Sequence, residues 1–370
     1  MTTAADIVRH DAGLPVDDLR LDHVEFYVED LERASAHWIS HYAFTPVGTA
    51  QGPGHRSLAL RHGRTLLILT QGIDDNHPAT AYAHQHGDGV ARIALRTADA
   101  AAAYEHAVAH GADPVAPPTR HPGPGTRATA TVSGFGDVVH TLVERDDGDD
   151  LPPGFEPLAP GDTERPADGP DLLEIDHFAV CLAVGELADT VAHYRQALGF
   201  REIFEERIAV GAQAMLSKVV QSRSGDITFT LIQPDPEAEP GQIDDFLKNH
   251  GGSGVQHVAF SSADAAATVR VLAGRGVEFL TAPATYYELL GHRVALRHHD
   301  LDTLRTLNLL VDEDHAGQLF QIFTRSTHPR RTLFFEVIER LGAKTFGSSN
   351  IRALYEAVEL EMYRRNGPGR

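Results

Sequence analysis

The sequence predicts an α+β protein built from two tandem copies of one module, each a pair of βαβββ units forming a curved mixed sheet. Three observations predict it. An acidic, Pro/Gly-rich stretch divides the chain near its middle, and the segments on either side of it repeat one another. Short strand patterns also alternate with amphipathic helix patterns, with no glycine-rich phosphate loop, which argues against a doubly wound nucleotide fold. A chain of 370 residues with 42% hydrophobic content is long enough for two domains, each with its own core.

Residues 1–20 read as an N-terminal extension. From Leu21, LDHVEFYVEDLERASAHWISHYAF has the alternation of a short strand, then a turn, then an amphipathic helix ending near an aromatic. GDGVARIALRTADAAAAYEHAVAHGA, from Gly87, again reads strand then helix, and HTLVER, from His140, reads as a strand, so 21–145 forms a first domain. ERDDGDDLPPGFEPLAPGDTERPADGPD, from Glu144 to Asp171, lacks apolar periodicity and reads as a linker over 146–172. The alternative, one long surface loop, conflicts with the scarcity of such loops inside compact domains. IDHFAVCLAVGELADTVAHYRQALGF, from Ile175, then matches the first segment. GSGVQHVAFSSADAAATVRVLAGRGV, from Gly252, matches the second, and FEVIER, from Phe335, the third. Residues 173–370 form the second domain, closing with LYEAVELEMY after the flexible Gly347–Ser349; that helix is either a lid over the site or a packed amphipathic helix.

Composition excludes several functions. The formal charge of -20, from 52 acidic against 32 basic residues, repels phosphate backbones and argues against nucleic acid as a partner. A single cysteine, Cys181, rules out an internal disulfide framework and fits a reducing cytoplasm. MTTAADIVRHDAGL lacks the apolar run of a signal peptide, and no stretch of about 18 apolar residues predicts a membrane span.

Laying one half on the other separates chemistry from scaffold. His177 falls on His23, His257 on Arg92, and Glu336 on Thr141. Arginine has only donors and stays protonated, so the first copy cannot ligate a cation in this way. In the second copy all three residues lie in predicted strands and share faces with apolar neighbours, pointing to a sheet interior. Buried imidazoles and a carboxylate are costly alone but are satisfied together by a divalent cation. Two His and one carboxylate leave open positions for substrate and dioxygen, the arrangement of non-haem iron(II) oxygenases. Ligand type leaves zinc open, although the HExxH helix of many hydrolytic zinc sites is absent.

The segments GVQHVAF, LFQIFT, LFFEVIER and FGSSNIRALYEAVE, with the two-module layout, resemble the 4-hydroxyphenylpyruvate dioxygenase family of the vicinal-oxygen-chelate fold, from about Leu21 to about Glu361. The resemblance implies an Fe(2+) site at His177, His257 and Glu336, with O2 as co-substrate and a small 2-oxo acid, 4-hydroxyphenylpyruvate, as substrate. It implies that Ser217, Gln242, Gln321, Phe323, Phe334, Phe346 and Asn350 line the substrate pocket. Fold habit suggests a homodimer.

Departures from the pattern bear on the product. TLIQP places Thr230 and Ile232 where homogentisate-forming members carry Pro and Asn, and Ile351 follows Asn350 where those members carry Phe. Ile cannot hydrogen-bond a substrate hydroxyl as Asn can, and Ile351 lacks a ring that could stack on the substrate. These changes match the branch of the family that forms 4-hydroxymandelate, a supplier of hydroxyphenylglycine for glycopeptide antibiotics. The alternatives are homogentisate formation, an extradiol ring-cleaving enzyme sharing the trio, and a non-catalytic small-molecule binder of the same fold. Oxygen uptake dependent on a 2-oxo acid rather than a catechol separates the second of these; iron-independent ligand binding marks the third.

Overall fold

A computed structural model of the chain describes residues 13–122, 125–145, 151–159 and 169–353. The first half opens with β1 (Arg20–Tyr27), α1 (Leu31–Tyr42), β2 (Thr45–Gly52), β3 (His55–His62) and β4 (Thr65–Gly72). After α2 (Pro78–His86) come β5 (Gly89–Thr97), α3 (Ala100–Ala109), β6 (Pro114–Arg120), β7 (Thr126–Phe135) and β8 (Val138–Arg145), then a two-residue β9 (Glu156–Pro157). The second half repeats the plan with β10 (Ile175–Cys181), α4 (Glu186–Ala197), β11 (Arg201–Val210), β12 (Gln213–Gln221) and β13 (Thr228–Pro234). After α5 (Gln242–His250) it continues through β14 (Gly254–Ser261), α6 (Ala265–Gly274), α7 (Ala284–Arg293), α8 (Leu301–Leu307), β15 (Leu310–Glu313), β16 (Gln318–Phe323) and β17 (Phe334–Leu341). Each half is thus a pair of βαβββ units, with α7 and α8 an insertion peculiar to the last one.

The sheets have the orders β6-β7-β8-β5-β1-β4-β3-β2-β9 and β11-β12-β13-β10-β14-β17-β16-β15. In each, two units meet along an antiparallel pair (β1 with β5, β10 with β14), and each central strand has a parallel neighbour on its other side. Helix starts repeat too. Asp99 and Asp264, in the matching TADAAAA and SADAAAT runs, accept from the backbone N–H of Ala102 and Ala267 at 2.9 and 2.8 Å.

Two boundaries move. Within the expected linker, Glu156–Pro157 pairs with β2, because an edge strand needs only free backbone groups and no apolar period. The described part of the expected N-terminal extension, residues 13–20, packs on the second half. Val16 and Leu19 are buried, Asp17 pairs with Arg223 at 2.7 Å, and Ser224 donates to the Leu19 carbonyl at 2.5 Å, so these residues clasp the second half.

One apolar core runs through both halves. Trp38 and Tyr42 of α1 lie 4.8 and 5.3 Å from Phe335 of β17, while Tyr194 of α4 bonds His140 of β8 at 2.7 Å. Each half therefore lends its first helix to the other. Among the described residues no helix is long and apolar enough to cross a membrane. The closing helix expected at LYEAVELEMY lies outside the described residues.

Candidate metal centre

Strand register brings the three predicted ligands together. His177 of β10 lies opposite Ala259 of β14, which lies beside Glu336 of β17, and Ala179 lies opposite His257. Residues paired in register share a face, so the three side chains converge on one side of the sheet. His177 Nε2 and His257 Nε2 lie 3.4 and 3.3 Å from Glu336 Oε2. Those separations exceed a good hydrogen bond of about 2.7–3.2 Å. With metal–ligand bonds of about 2.0–2.2 Å, however, they suit neighbouring ligands of one ion.

The donor chemistry fits a divalent cation. Burial holds His257 below its ordinary pKa against the pull of Glu336, favouring the neutral imidazole that a metal requires. His257 Nδ1 is buried without a hydrogen-bond partner. A buried carboxylate facing two imidazole nitrogens is costly alone and is satisfied by a cation shared among the three.

A further pair of residues, not singled out by sequence, orients His177. Its Nδ1 bonds Asp176 at 2.8 Å, which fixes the tautomer with Nε2 free for a metal. Arg340 clamps Asp176 through two bonds of 2.7 and 2.8 Å. Burial raises the Asp176 pKa, but the bonds from Arg340 and His177 outweigh it and hold this carboxyl well below the usual range.

The first half supplies an internal control. His23 faces Ala94, and Ala94 lies beside Thr141, in the same register as the second half. Asp22 accepts from His23 and Arg145 at 2.5 and 2.7 Å, so the Asp–His–Arg support is copied in full. The site itself is not. Arg92 stands at the His257 position and pairs with Glu25 at 3.1 Å, where the second half has Ala179. Thr141 bonds Thr131 at 3.0 Å. An ion pair and a hydroxyl pair fill the space.

Comparison with known proteins gives the same picture. The N-terminal domain of hydroxyphenylpyruvate dioxygenase matches residues 14–152, and the Glyoxalase/Bleomycin resistance protein/Dioxygenase superfamily matches residues 174–322. "Probable 4-hydroxyphenylpyruvate dioxygenase 2" of Aspergillus fumigatus is 32% identical over 384 residues, covering 93% of this chain and 94% of that protein. The chain belongs to the 4-hydroxyphenylpyruvate dioxygenase family. A 4-hydroxyphenylpyruvate dioxygenase of Caenorhabditis elegans is 31% identical, covering 99% of this chain and 96% of its own. Among solved structures, a variant of 4-hydroxymandelate synthase from Streptomyces coelicolor is 42% identical with a TM-score of 0.82, over 94% of this chain and 99% of that one.

In this member of the 4-hydroxyphenylpyruvate dioxygenase family, aromatic residues frame the ligands. Phe334 stacks on His257 with centroids 5.0 Å apart, Phe323 meets the same ring edge-on at 5.6 Å, and Phe346 meets His177 at 5.5 Å. The Arg340 guanidinium lies 5.0 Å over the Phe346 ring, tying the support of His177 to the FGSS segment. Gly347 sits at φ 77°, and a Cβ there would meet Gln321 Oε1 at 2.1 Å, so this approach demands glycine. Gln321 Oε1 and Asn350 Nδ2 are both buried without a protein partner, while Asn350 Oδ1 accepts from Tyr286 at 2.8 Å.

The other predicted pocket residues scatter further. Thr230 lies beside Ala179, and Ser217 opposite Ile232, which places them on the β12–β13 flank of the same face. The Thr230 hydroxyl is occupied, donating to the Phe178 carbonyl at 3.3 Å. Ile232 packs with Cys181 against Ile243 and Phe246 of α5. Gln242 is exposed on the first turn of α5, and none of its described contacts reaches the triad. Ile351 is half-buried. A cleft of about 1040 Å³ passes beside the site between the halves, lined by Asp22, Asp176, Arg340 and Phe346 but by none of the three ligands.

Asp176 and Arg340 carry a trace in the sequence. The Asp-His dipeptide recurs at Asp22-His23 and Asp176-His177, and the Glu-Arg pair recurs at Arg145 and Arg340.

Proposed function

We propose that this chain is an iron(II)-dependent dioxygenase converting 4-hydroxyphenylpyruvate and O2 into 4-hydroxymandelate and CO2. The observation that carries the reading is the convergence of His177 Nε2, His257 Nε2 and a Glu336 oxygen, all within 4.8 Å of one another on a buried sheet face. Bound there, iron(II) would chelate the 2-oxo acid and supply the redox chemistry with O2. One oxygen atom of O2 ends in the new carboxylate and the other in the benzylic hydroxyl.

The protein's own part is orientation and exclusion of water. Asp176, clamped by Arg340, keeps the His177 lone pair turned inward. Phe323, Phe334 and Phe346 form apolar walls about the two imidazoles, against which a phenyl ring packs. The unpartnered Gln321 Oε1 and Asn350 Nδ2 offer an acceptor and a donor to polar ends of a substrate.

Ring and benzylic carbons lie about a bond length apart, and a misplacement of roughly 1 Å can change a rate a hundredfold, so wall shape selects the product. The apolar Ile232 and the already bonded Thr230 supply no free hydrogen bond to hold the ring for attack, which supports benzylic hydroxylation. Homogentisate formation is the second reading, favoured by the names of the curated relatives. Incubating iron-loaded protein with 4-hydroxyphenylpyruvate and resolving products by chromatography separates the two: 4-hydroxymandelate is expected, and dominant homogentisate overturns the product assignment.

A further inference from the structure

Among the described residues a second cluster of metal-ligating side chains stands apart from the triad: His298, His299 and Glu339, whose ligand atoms also lie within 4.8 Å of one another. Glu339 is on β17 three residues beyond Glu336, so it points to the opposite, helix-covered face of the sheet. His298 and His299 come from the loop between α7 and α8, the insertion that the first half lacks.

Each carboxylate oxygen has its own imidazole. His299 Nε2 lies 2.8 Å from Glu339 Oε2, and His298 Nε2 lies 3.3 Å from Oε1. Glu339 is 1% exposed, and its Oε1 is buried with no hydrogen-bond partner. His299 is held edge-on against the buried Phe320 ring at 4.7 Å, while the His298 side chain is 47% exposed, leaving an entry path.

The bland account is that Glu339 merely caps α6, since its Oε2 accepts from the Ala265 N–H at 2.8 Å. The internal repeat weighs against this as the whole story. Glu144, at the equivalent position, caps α3 through the Ala100 N–H at 3.3 Å, and no metal-ligating cluster forms around it among the described residues. Capping explains the carboxylate. It does not explain two imidazoles converging on it or the orphaned Oε1.

We propose that His298, His299 and Glu339 form a second divalent-cation site, suited to zinc, that pins the α7–α8 loop to β17. Two imidazoles and one carboxylate are a borderline-soft donor set of the zinc type, and solvent reaching His298 can supply the remaining ligand. The site is separate from the triad and makes no claim on the reaction.

The test is zinc stoichiometry of the full-length chain, stripped with chelator, dialysed against zinc and measured by elemental analysis, with circular dichroism reporting the fold. The triad also accepts zinc by ligand type, so His257→Ala serves as one background and the unaltered chain as the other. In both, adding His298→Ala with His299→Ala is expected to remove one zinc per chain. Glu339→Gln keeps an acceptor for the Ala265 N–H, so it should weaken this zinc at least tenfold without unfolding α6. His299→Gln, which can still bond Glu339 but ligates poorly, should do the same. Zinc content unchanged by the double His replacement in either folded background overturns the proposal.

Discussion

Replacing His257 by alanine removes one of three converging nitrogen and oxygen donors while leaving the pairing of β14 with β10 and β17 intact. Turnover of 4-hydroxyphenylpyruvate is expected to vanish with the circular dichroism spectrum unchanged, and full oxygen uptake by the folded variant would sink the metal assignment. Asp176 makes a subtler test, because the first half carries the same support without the site. Asp176→Asn keeps the shape but loses the charge that Arg340 and His177 share, so iron affinity is expected to fall about 10–100-fold. Asp22→Asn, its counterpart beside His23, should leave iron affinity unchanged in the same titration. The ligands could be read from sequence because His257 and Glu336 differ in kind from their repeat partners Arg92 and Thr141, while His177 matches His23. The contact between Asp176 and Arg340 could not, since the recurring Asp-His and Glu-Arg pairs do not say that residues 164 apart in the chain fold together.

At the scale of elements, the repeat extends to the caps. Asp264→Ala and Asp99→Ala each remove one side-chain bond to a helix start. Each is expected to cost about 1 kcal/mol, read as a lowered urea midpoint. The double variant should lose roughly the sum, because the caps sit on different helices in different halves. Hydrophobic period and the internal repeat made most of β1–α1, β5–α3, β10–α4 and β14–α6 legible. The α7–α8 insertion and β9 were not: the first has no counterpart to compare, and the second is a pair of residues defined only by the strand it joins. The residues that line the pocket divide in the same way. Gln321, Phe323 and Phe334 were implied by the family resemblance, and alternation on strands next to the ligands agrees with them. Gln242 sits on a helix turn, where strand register says nothing, and it is exposed.

Across the whole molecule the halves are locked by buried histidines. His140 of the first half bonds Tyr194 of the second, and His86 stacks on His250 at 4.2 Å and donates from its Nδ1 to the His250 backbone carbonyl at 2.8 Å. Burial lowers His140, His250 and His328 from the ordinary 6.5 to about 4. Such groups are neutral in the folded chain but take up protons on unfolding, so the unfolded state binds more protons between these two values. Stability is therefore expected to be full above pH about 6.5 and to decline as pH falls toward 4. Melting temperatures across that range check this, and His140→Gln should flatten part of the slope. A melting temperature that rises on acidification would contradict it.

By itself the sequence determined that two like modules lie in tandem and which family pattern they follow, and it singled out His177, His257 and Glu336 of the second as the candidate ligands. Alternation and donor chemistry are local properties, and the repeat turns them into a comparison within one chain. Only the tertiary structure decided which groups support and surround that site. The Asp176–Arg340 clamp, the Glu25–Arg92 pair that closes the first copy, and the His298, His299 and Glu339 cluster all join residues from distant elements. Contacts of that kind arise from sheet register and helix exchange between halves, which no local pattern encodes.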